Sequence, residues 1–244
     1  MPINCFINTF PLHYKIKFYL CNMATKKINT YPLVTAESTF DAVILCNGEY
    51  PSHPIPLAIL AHARYLCCCD GAALACIAHG LQPDAIVGDG DSLPETLKQT
   101  YAHIFHPVSE QDDNDQTKAT RFCMTQGFKR IAYVGSTGKR EDHTLGNISL
   151  LARYKSEFGL EVTMITDYGW FVAAQGDAQF SAFQHQQVSI FNKDCTALSS
   201  SGLKWDAYPC TALWQGTLNE AVDNTFALKA DGGYLVFRTF EAKE

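Results

Sequence analysis

Six short apolar runs, at 40–46, 64–69, 84–87, 102–105, 130–134 and 160–166, alternate with five segments of helical character, at 56–63, 72–79, 94–100, 116–126 and 144–158. Nearly continuous apolar runs of this length suit strands buried on both faces, which belong to parallel sheets covered by helices. Strand–helix alternation at this spacing implies an α/β sheet. Local signals punctuate it. Pro56 suits the first turn of its helix, and Gly80 and Gly127 suit the position just past a helix end. Ala119, Phe122 and Cys123 recur at i, i+3 and i+4, and Leu145, Ile148, Leu151 and Ala152 give the last helix an apolar side.

Ligands of such sheets bind outside the carboxyl ends of the strands, and three polar clusters fall there. The first is Gly88-Asp89-Gly90-Asp91-Ser92. Its two carboxylates are either a solvated turn or a pair of hard oxygen ligands, which suit Mg²⁺ together with substrate phosphates. The Asp/Asn series and closing Glu of an EF-hand are absent. The second is Glu110-Gln111-Asp112-Asp113-Asn114-Asp115-Gln116-Thr117-Lys118. Its acidic residues suit a helix N-terminus or a cation, and Lys118 is free to pair with Asp115 or to reach a phosphate. The third is Gly135-Ser136-Thr137-Gly138-Lys139-Arg140-Glu141-Asp142-His143. It lacks the Walker spacing, so a P-loop nucleotidase is not supported, yet glycines and two cations before a helix still suit an anion. His143 is a ligand, a proton donor or simply part of the helix start.

A net charge of −6 over 244 residues leaves no broad basic footprint, so nucleic acid is not an expected partner. A negative chain that binds phosphate needs a local remedy, and a divalent cation supplies it. No segment approaches the ~20 apolar residues of a membrane span. Ten cysteines include Cys67-Cys68-Cys69 but no Cys-x-x-Cys pair. They read as reduced, small hydrophobes in a cytoplasmic protein.

From about residue 168 helical periodicity stops. Short runs at 169–174, 187–191, 226–229 and 234–240 are separated by Gly, Asp, Asn and Ser, and Asp231-Gly232-Gly233 has the composition of a hairpin turn. The expected organisation is an α/β domain at 37–168 and a smaller all-β domain at 169–244, after an N-terminal extension at 1–36. Lys15 and Lys17 interrupt the apolar stretch of residues 1–22, unlike a secretory signal, and Met23 is a candidate natural start.

Taken together, Cys69-Asp70-Gly71-Ala72-Ala73, the first two clusters, the segment from Gly138 to Asn147, and Gly202-Leu203-Lys204-Trp205 resemble the thiamine pyrophosphokinase family. The resemblance implies a Rossmann-like, mostly parallel α/β domain that binds nucleotide and carries catalysis, then a thiamine-binding β-sandwich. It implies a homodimer with thiamine at the subunit interface. The reaction would move the pyrophosphoryl group of ATP, the co-substrate, onto the thiamine hydroxyl, giving thiamine diphosphate and AMP. By the same resemblance Asp89, Asp91 and Asp112 would bind Mg²⁺ or orient the hydroxyl, with Asp70 and Asp115 completing the acidic site. Gln111, Lys118 and Arg140 would contact the phosphates, and Asp142, His143 and Asn147 would line the cleft. Trp205 would stack on thiamine, with Asn219 and Asn147 in contact with the vitamin. Three positions depart from the family pattern: Ala72 replaces Gly, Glu110 replaces Asp and Leu218 replaces Ser. A pyrophosphokinase for a pterin-like alcohol, or a non-catalytic thiamine- or nucleotide-binding regulator, would draw on the same residues.

Overall fold

Most of the apolar runs form strands because burial satisfies them along nearly their whole length. After β1 (Asn29–Tyr31) come β2 (Ala42–Leu45), β3 (Leu66–Cys69), β4 (Ala85–Gly88), β5 (Phe105–Pro107), β6 (Arg130–Val134) and β7 (Glu161–Ile165). Every residue of β2, β3 and β4 is buried, as expected of parallel strands with helices on both faces, whereas β5 at the sheet edge is only half-buried. The helices between them are α1 (Pro54–Ala61), α2 (Ala72–Ala78), α3 (Glu95–Thr100), α4 (Asp115–Thr125) and α5 (Glu141–Ser156). The computed structural model describes residues 28–243, and the readings of residues 1–22 and of Met23 as a start lie outside them.

Several boundaries differ from the sequence reading, and three of them have a clear local cause. Helix α1 starts at Pro54, because the His53 imidazole accepts the Ile55 N–H at 3.2 Å and caps it there. Residues 102–104 are turn, not strand: the N–H groups of Ile104 and Phe105 return to the Tyr101 carbonyl, so pairing with β4 begins at Phe105. Helix α5 begins at Glu141, with the Thr144 N–H on the Arg140 carbonyl, and Glu141 and Asp142 suit the positive end of the helix dipole. Its inward stripe is therefore 144, 147, 148, 151 and 154, and Leu145 is exposed.

Strands β8 (Gly169–Gln175), β9 (Ala178–Ser181), β10 (Gln186–Asn192), β11 (Leu198–Ser201), β12 (Asn219–Glu220), β13 (Thr225–Ala230) and β14 (Gly233–Ala242) complete the chain. The large sheet has the order β12-β10-β14-β8-β7-β6-β2-β3-β4-β5. It is parallel from β5 to β7 and antiparallel beyond. A second sheet, β1-β9-β13-β11, packs beside it. The rings of Tyr31, Phe180 and Phe226 stack in series at 5.0 and 4.8 Å. The buried Arg238 guanidinium lies over Trp170 and Phe180 and donates to the carbonyls of Tyr31, Pro32 and Ser181.

The hairpin expected at Asp231-Gly232-Gly233 does not form, since β13 and β14 belong to different sheets. The turn instead wraps the segment before β11. Asp231 accepts the N–H groups of Thr196 and Ala197, and a Cβ on Gly232 would stand 2.5 Å from Asp194 Oδ1. Among the described residues no helix is long and apolar enough to cross a membrane.

Strand order decides where a site forms. From β2 the chain steps outward to β3, β4 and β5, then returns to β6 on the other side of β2. The chain leaves β2 toward β3 and leaves β6 toward β7, so the strand order reverses at this pair, and a site is expected at the carboxyl ends there.

Candidate active site

Three carboxylates meet at that edge. Asp70 follows β3, Asp89 and Asp91 follow β4, and one oxygen of each lies within 4.8 Å of the others. The register sets Cys69 beside Val87, which brings Asp70 against Gly88. A Cβ at Gly88 would stand 2.5 Å from the Asp70 Cβ, so only glycine allows this approach. Gly90, at φ +80°, turns the loop so that the Asp91 N–H donates to Asp89 Oδ1 at 3.1 Å.

Asp70 is 2% exposed. Its Oδ2 accepts the Ser92 N–H at 3.2 Å, while its buried Oδ1 has no partner among the described residues. Burial first, and then the negative charge of Asp115, Asp89 and Asp91, pushes the Asp70 carboxyl up. Burial likewise raises Asp115, against the pull of Lys118. Asp89 is held down by the Asp91 N–H and the Gln111 amide. An orphaned buried oxygen needs a reason. Three hard oxygen donors converging beside it fit a divalent cation such as Mg²⁺.

The loop after β5 forms the second wall. Glu110 accepts the N–H groups of Asp112 and Asp113 at 2.8 and 3.2 Å and folds the loop. Asp113 anchors it by ion pairs of 2.8 Å to both Arg121 and Arg153. Asn114 caps α4 by accepting the Thr117 N–H, and donates to Asn147 Oδ1 at 2.8 Å. Lys118, its side chain 3% exposed, lies 3.6 Å from Asp115.

The glycine loop after β6 forms the third wall. Gly48, Gly135 and Gly138 let it close on the loop after β2: a Cβ at Gly48 would stand 2.3 Å from the Thr137 carbonyl oxygen. Lys139, at φ +58°, donates to the Asn47 carbonyl at 3.0 Å. Arg140 pairs with Asp142 at 2.6 Å and holds its carboxyl down at about 2. Asn147 donates to the Ser136 carbonyl at 2.8 Å, which ties this loop to α5.

Asp89, Asp91, Gln111, Asp112, Asp115, Lys118, Arg140, His143 and Asn147 thus line one cleft of about 640 Å³. Asp70 joins it through the carboxylate trio, and Asp142 reaches it only through Arg140. Asp112 shares the cleft but not the trio. Trp205 and Asn219 are elsewhere, in a second pocket of about 450 Å³ with Tyr208, Leu218 and Lys243. Asn219 brackets the Trp205 backbone, accepting its N–H at 3.2 Å and donating to its carbonyl at 2.8 Å. The Trp205 ring is half exposed, with the Lys204 ammonium 4.9 Å from its centre. The two pockets share no residue, and Asn147 lies with the carboxylates rather than with Trp205.

Sequence reasoning missed the supports of this site: Asp113 as an anchor, and Asn114, Gln116 and Ser136 as its polar frame. Asn114 carried a legible signal, an Asn three residues before Thr117 at a helix start.

Two family models match the chain. Residues 57–164 match "Thiamin pyrophosphokinase, catalytic domain" and residues 169–237 match "Thiamin pyrophosphokinase, substrate-binding domain". A curated relative, thiamin pyrophosphokinase 1 of Caenorhabditis elegans, is 31% identical over 78 residues, which are 30% of this chain and 32% of that protein. The match thus spans about a third of that relative's length. The solved thiamin pyrophosphokinase from Candida albicans superposes with a TM-score of 0.71 at 16% identity, covering 90% of this chain and 95% of that one. Yeast thiamin pyrophosphokinase gives 0.68 at 16% identity, covering 89% and 93%. These two likenesses concern the fold.

Proposed function

Because this chain belongs to the thiamin pyrophosphokinase family, we propose that it moves the pyrophosphoryl group of ATP to the hydroxyl of thiamine, releasing thiamine diphosphate and AMP. The observation that carries the reading is the trio Asp70, Asp89 and Asp91, with an unpartnered buried oxygen on Asp70, facing a buried lysine across one cleft.

Asp70, Asp89 and Asp91 would hold Mg²⁺, which when bound neutralises phosphate oxygens and fixes their orientation. The remaining work is positioning and charge stabilisation by the chain itself. Lys118 and Arg140 bring positive charge to the triphosphate, and Gln111 donates from beside Asp89. Asp112, outside the trio but lining the cleft, orients the attacking hydroxyl and accepts its proton. His143 and Asn147 line the path of the nucleotide.

Trp205 offers thiamine a π face for its cationic ring, and Asn219 keeps that face in place. Because the Trp205 pocket and the carboxylate cleft are separate within one chain, we assign the complete site to a homodimer, the thiamine pocket of one subunit completing the cleft of its partner. The exposed side chains of Trp205, Leu213, Trp214 and Leu218 support an interface there, since clustered apolar surface marks association. Residues 37–168 would carry the nucleotide chemistry and 169–244 the thiamine pocket, in the cytoplasm.

The deciding experiment incubates the purified protein with ATP, Mg²⁺ and thiamine and resolves the products. Equal amounts of AMP and thiamine diphosphate, abolished by EDTA, are expected. ADP with thiamine monophosphate would make it a simple kinase, thiamine binding without AMP would make it a regulator, and turnover only with a pterin-like alcohol would change the acceptor.

A further inference from the structure

Cys46 and Cys69 stand at the ends of neighbouring parallel strands. Leu45 pairs with Cys68, so the next position sets Cys46 beside Cys69, and their sulfurs lie 3.8 Å apart. Both residues line the carboxylate cleft. Cys46 is 6% exposed and Cys69 1%. Around Cys46 Sγ lie the Ser136 hydroxyl at 3.3 Å and Gln116 Oε1 at 3.6 Å. A disulfide needs the sulfurs at ~2.05 Å, well inside the 3.8 Å at which these two stand. A single bridging atom asks for less movement: two sulfurs bonded at ~2.3 Å stand ~3.8 Å apart on a tetrahedral cation and a few tenths of an ångström closer on a pyramidal trivalent centre.

We propose that Cys46 and Cys69 form a dithiol site in the wall of the cleft for a soft, thiophilic centre that bonds two sulfurs. Two sources share this chemistry, a monosubstituted trivalent arsenical and a soft divalent cation. With an arsenical R–As=O, two S–H bonds break and two As–S bonds form. The oxygen leaves as water with both protons, and arsenic stays trivalent. With a cation, two protons are released. Cys46 enters first, having the larger exposure, and Cys69 closes the bridge.

Occupation has a consequence for the cleft. The Gln116 amide donates to the Asn147 carbonyl at 3.2 Å, and the Asn147 amide donates to the Ser136 carbonyl at 2.8 Å. Cys46 therefore sits inside the ring of contacts that frames the cleft, and a bridged sulfur pair leaves less room for a nucleotide. The site is defined by its sulfur pair and does not depend on the phosphate chemistry proposed above.

The test treats the full chain with phenylarsine oxide and maps the adduct by mass spectrometry. In parallel, Cd²⁺ is titrated by its thiolate charge-transfer absorption, which carboxylates do not give. One bridge per chain between the Cys46 and Cys69 peptides is expected, lost in Cys46→Ala and slowed severalfold by ATP with Mg²⁺. A cadmium band lost in Cys46→Ala would extend the site to the cation, and its absence beside a mapped arsenical would restrict the site to arsenic. An adduct on the other buried thiol pairs, Cys67 with Cys123 or Cys68 with Cys76, or no adduct at all, would overturn the proposal. Labelling unaffected by ATP with Mg²⁺, at a concentration that calorimetry shows to saturate the protein, would remove the site from the cleft. The wild-type map stands by itself if the variant does not fold, and it is read without any activity measurement.

Discussion

In the proposed site Asp70 answers two opposed demands. Ion binding requires a bare carboxylate, whereas burial beside three other acids penalises one. A carboxyl raised in the folded state keeps its proton more tightly there than in the unfolded chain. Its favourable contribution is full below the ordinary carboxylate range and is lost as pH climbs through the raised value. Asp70→Asn is therefore expected to raise the melting temperature of metal-free protein at pH 7, with the gain vanishing in acid, while turnover falls on the order of 10²-fold. Melts across pH beside steady-state rates check both, and an unchanged or lowered neutral melting temperature would contradict the account. Asp91→Asn and Asp112→Asn should each reduce turnover by a similar order with little change in circular dichroism melts. Near wild-type rates in both would reject the assigned roles.

Between elements, two anchors have no catalytic part in this reading. Asp113 joins the acidic loop to α4 and α5 through Arg121 and Arg153. Asp113→Asn is expected to loosen that loop, raising the KM for ATP severalfold with a smaller effect on kcat, as initial rates at varied ATP would reveal. An equal fall in kcat at unchanged KM would instead place Asp113 in the chemistry. Arg238, on β14, ties the chain just after β1 to both sheets through three carbonyls. Arg238→Met keeps an apolar stem but strands those carbonyls, and one buried group left unpaired costs about 1–3 kcal/mol. Urea melts should report a loss of at least that size.

For the whole molecule, the separation of the Trp205 pocket from the carboxylate cleft makes a sharp prediction. Asp91→Asn and Trp205→Ala should each be nearly inactive alone. If the site is shared across a two-fold dimer, mixing and re-equilibrating the two variants creates heterodimers with one intact site, and about a quarter of wild-type activity returns. If both pockets act within one chain, every site keeps a lesion and nothing returns.

The sequence by itself determined the layered α/β architecture and the sheet edge at which the polar clusters gather. Fully apolar runs such as 42–45 and 66–69 can be satisfied only by burial on both faces, and polar clusters placed after strands must emerge at one sheet edge. Local sequence was weaker at boundaries, where one side chain decides: the His53 cap moved α1, and the Tyr101 carbonyl moved β5. Only the tertiary structure decided that Asp231-Gly232-Gly233 crosses between sheets, that Asp113 is an anchor while Asp70 joins Asp89 and Asp91, and that Cys46 meets Cys69. The reason is common to all three. Turn composition and carboxylate spacing act over a few residues, whereas strand order and register bring together positions that the chain separates by about twenty or more, and no local preference encodes which neighbours those will be.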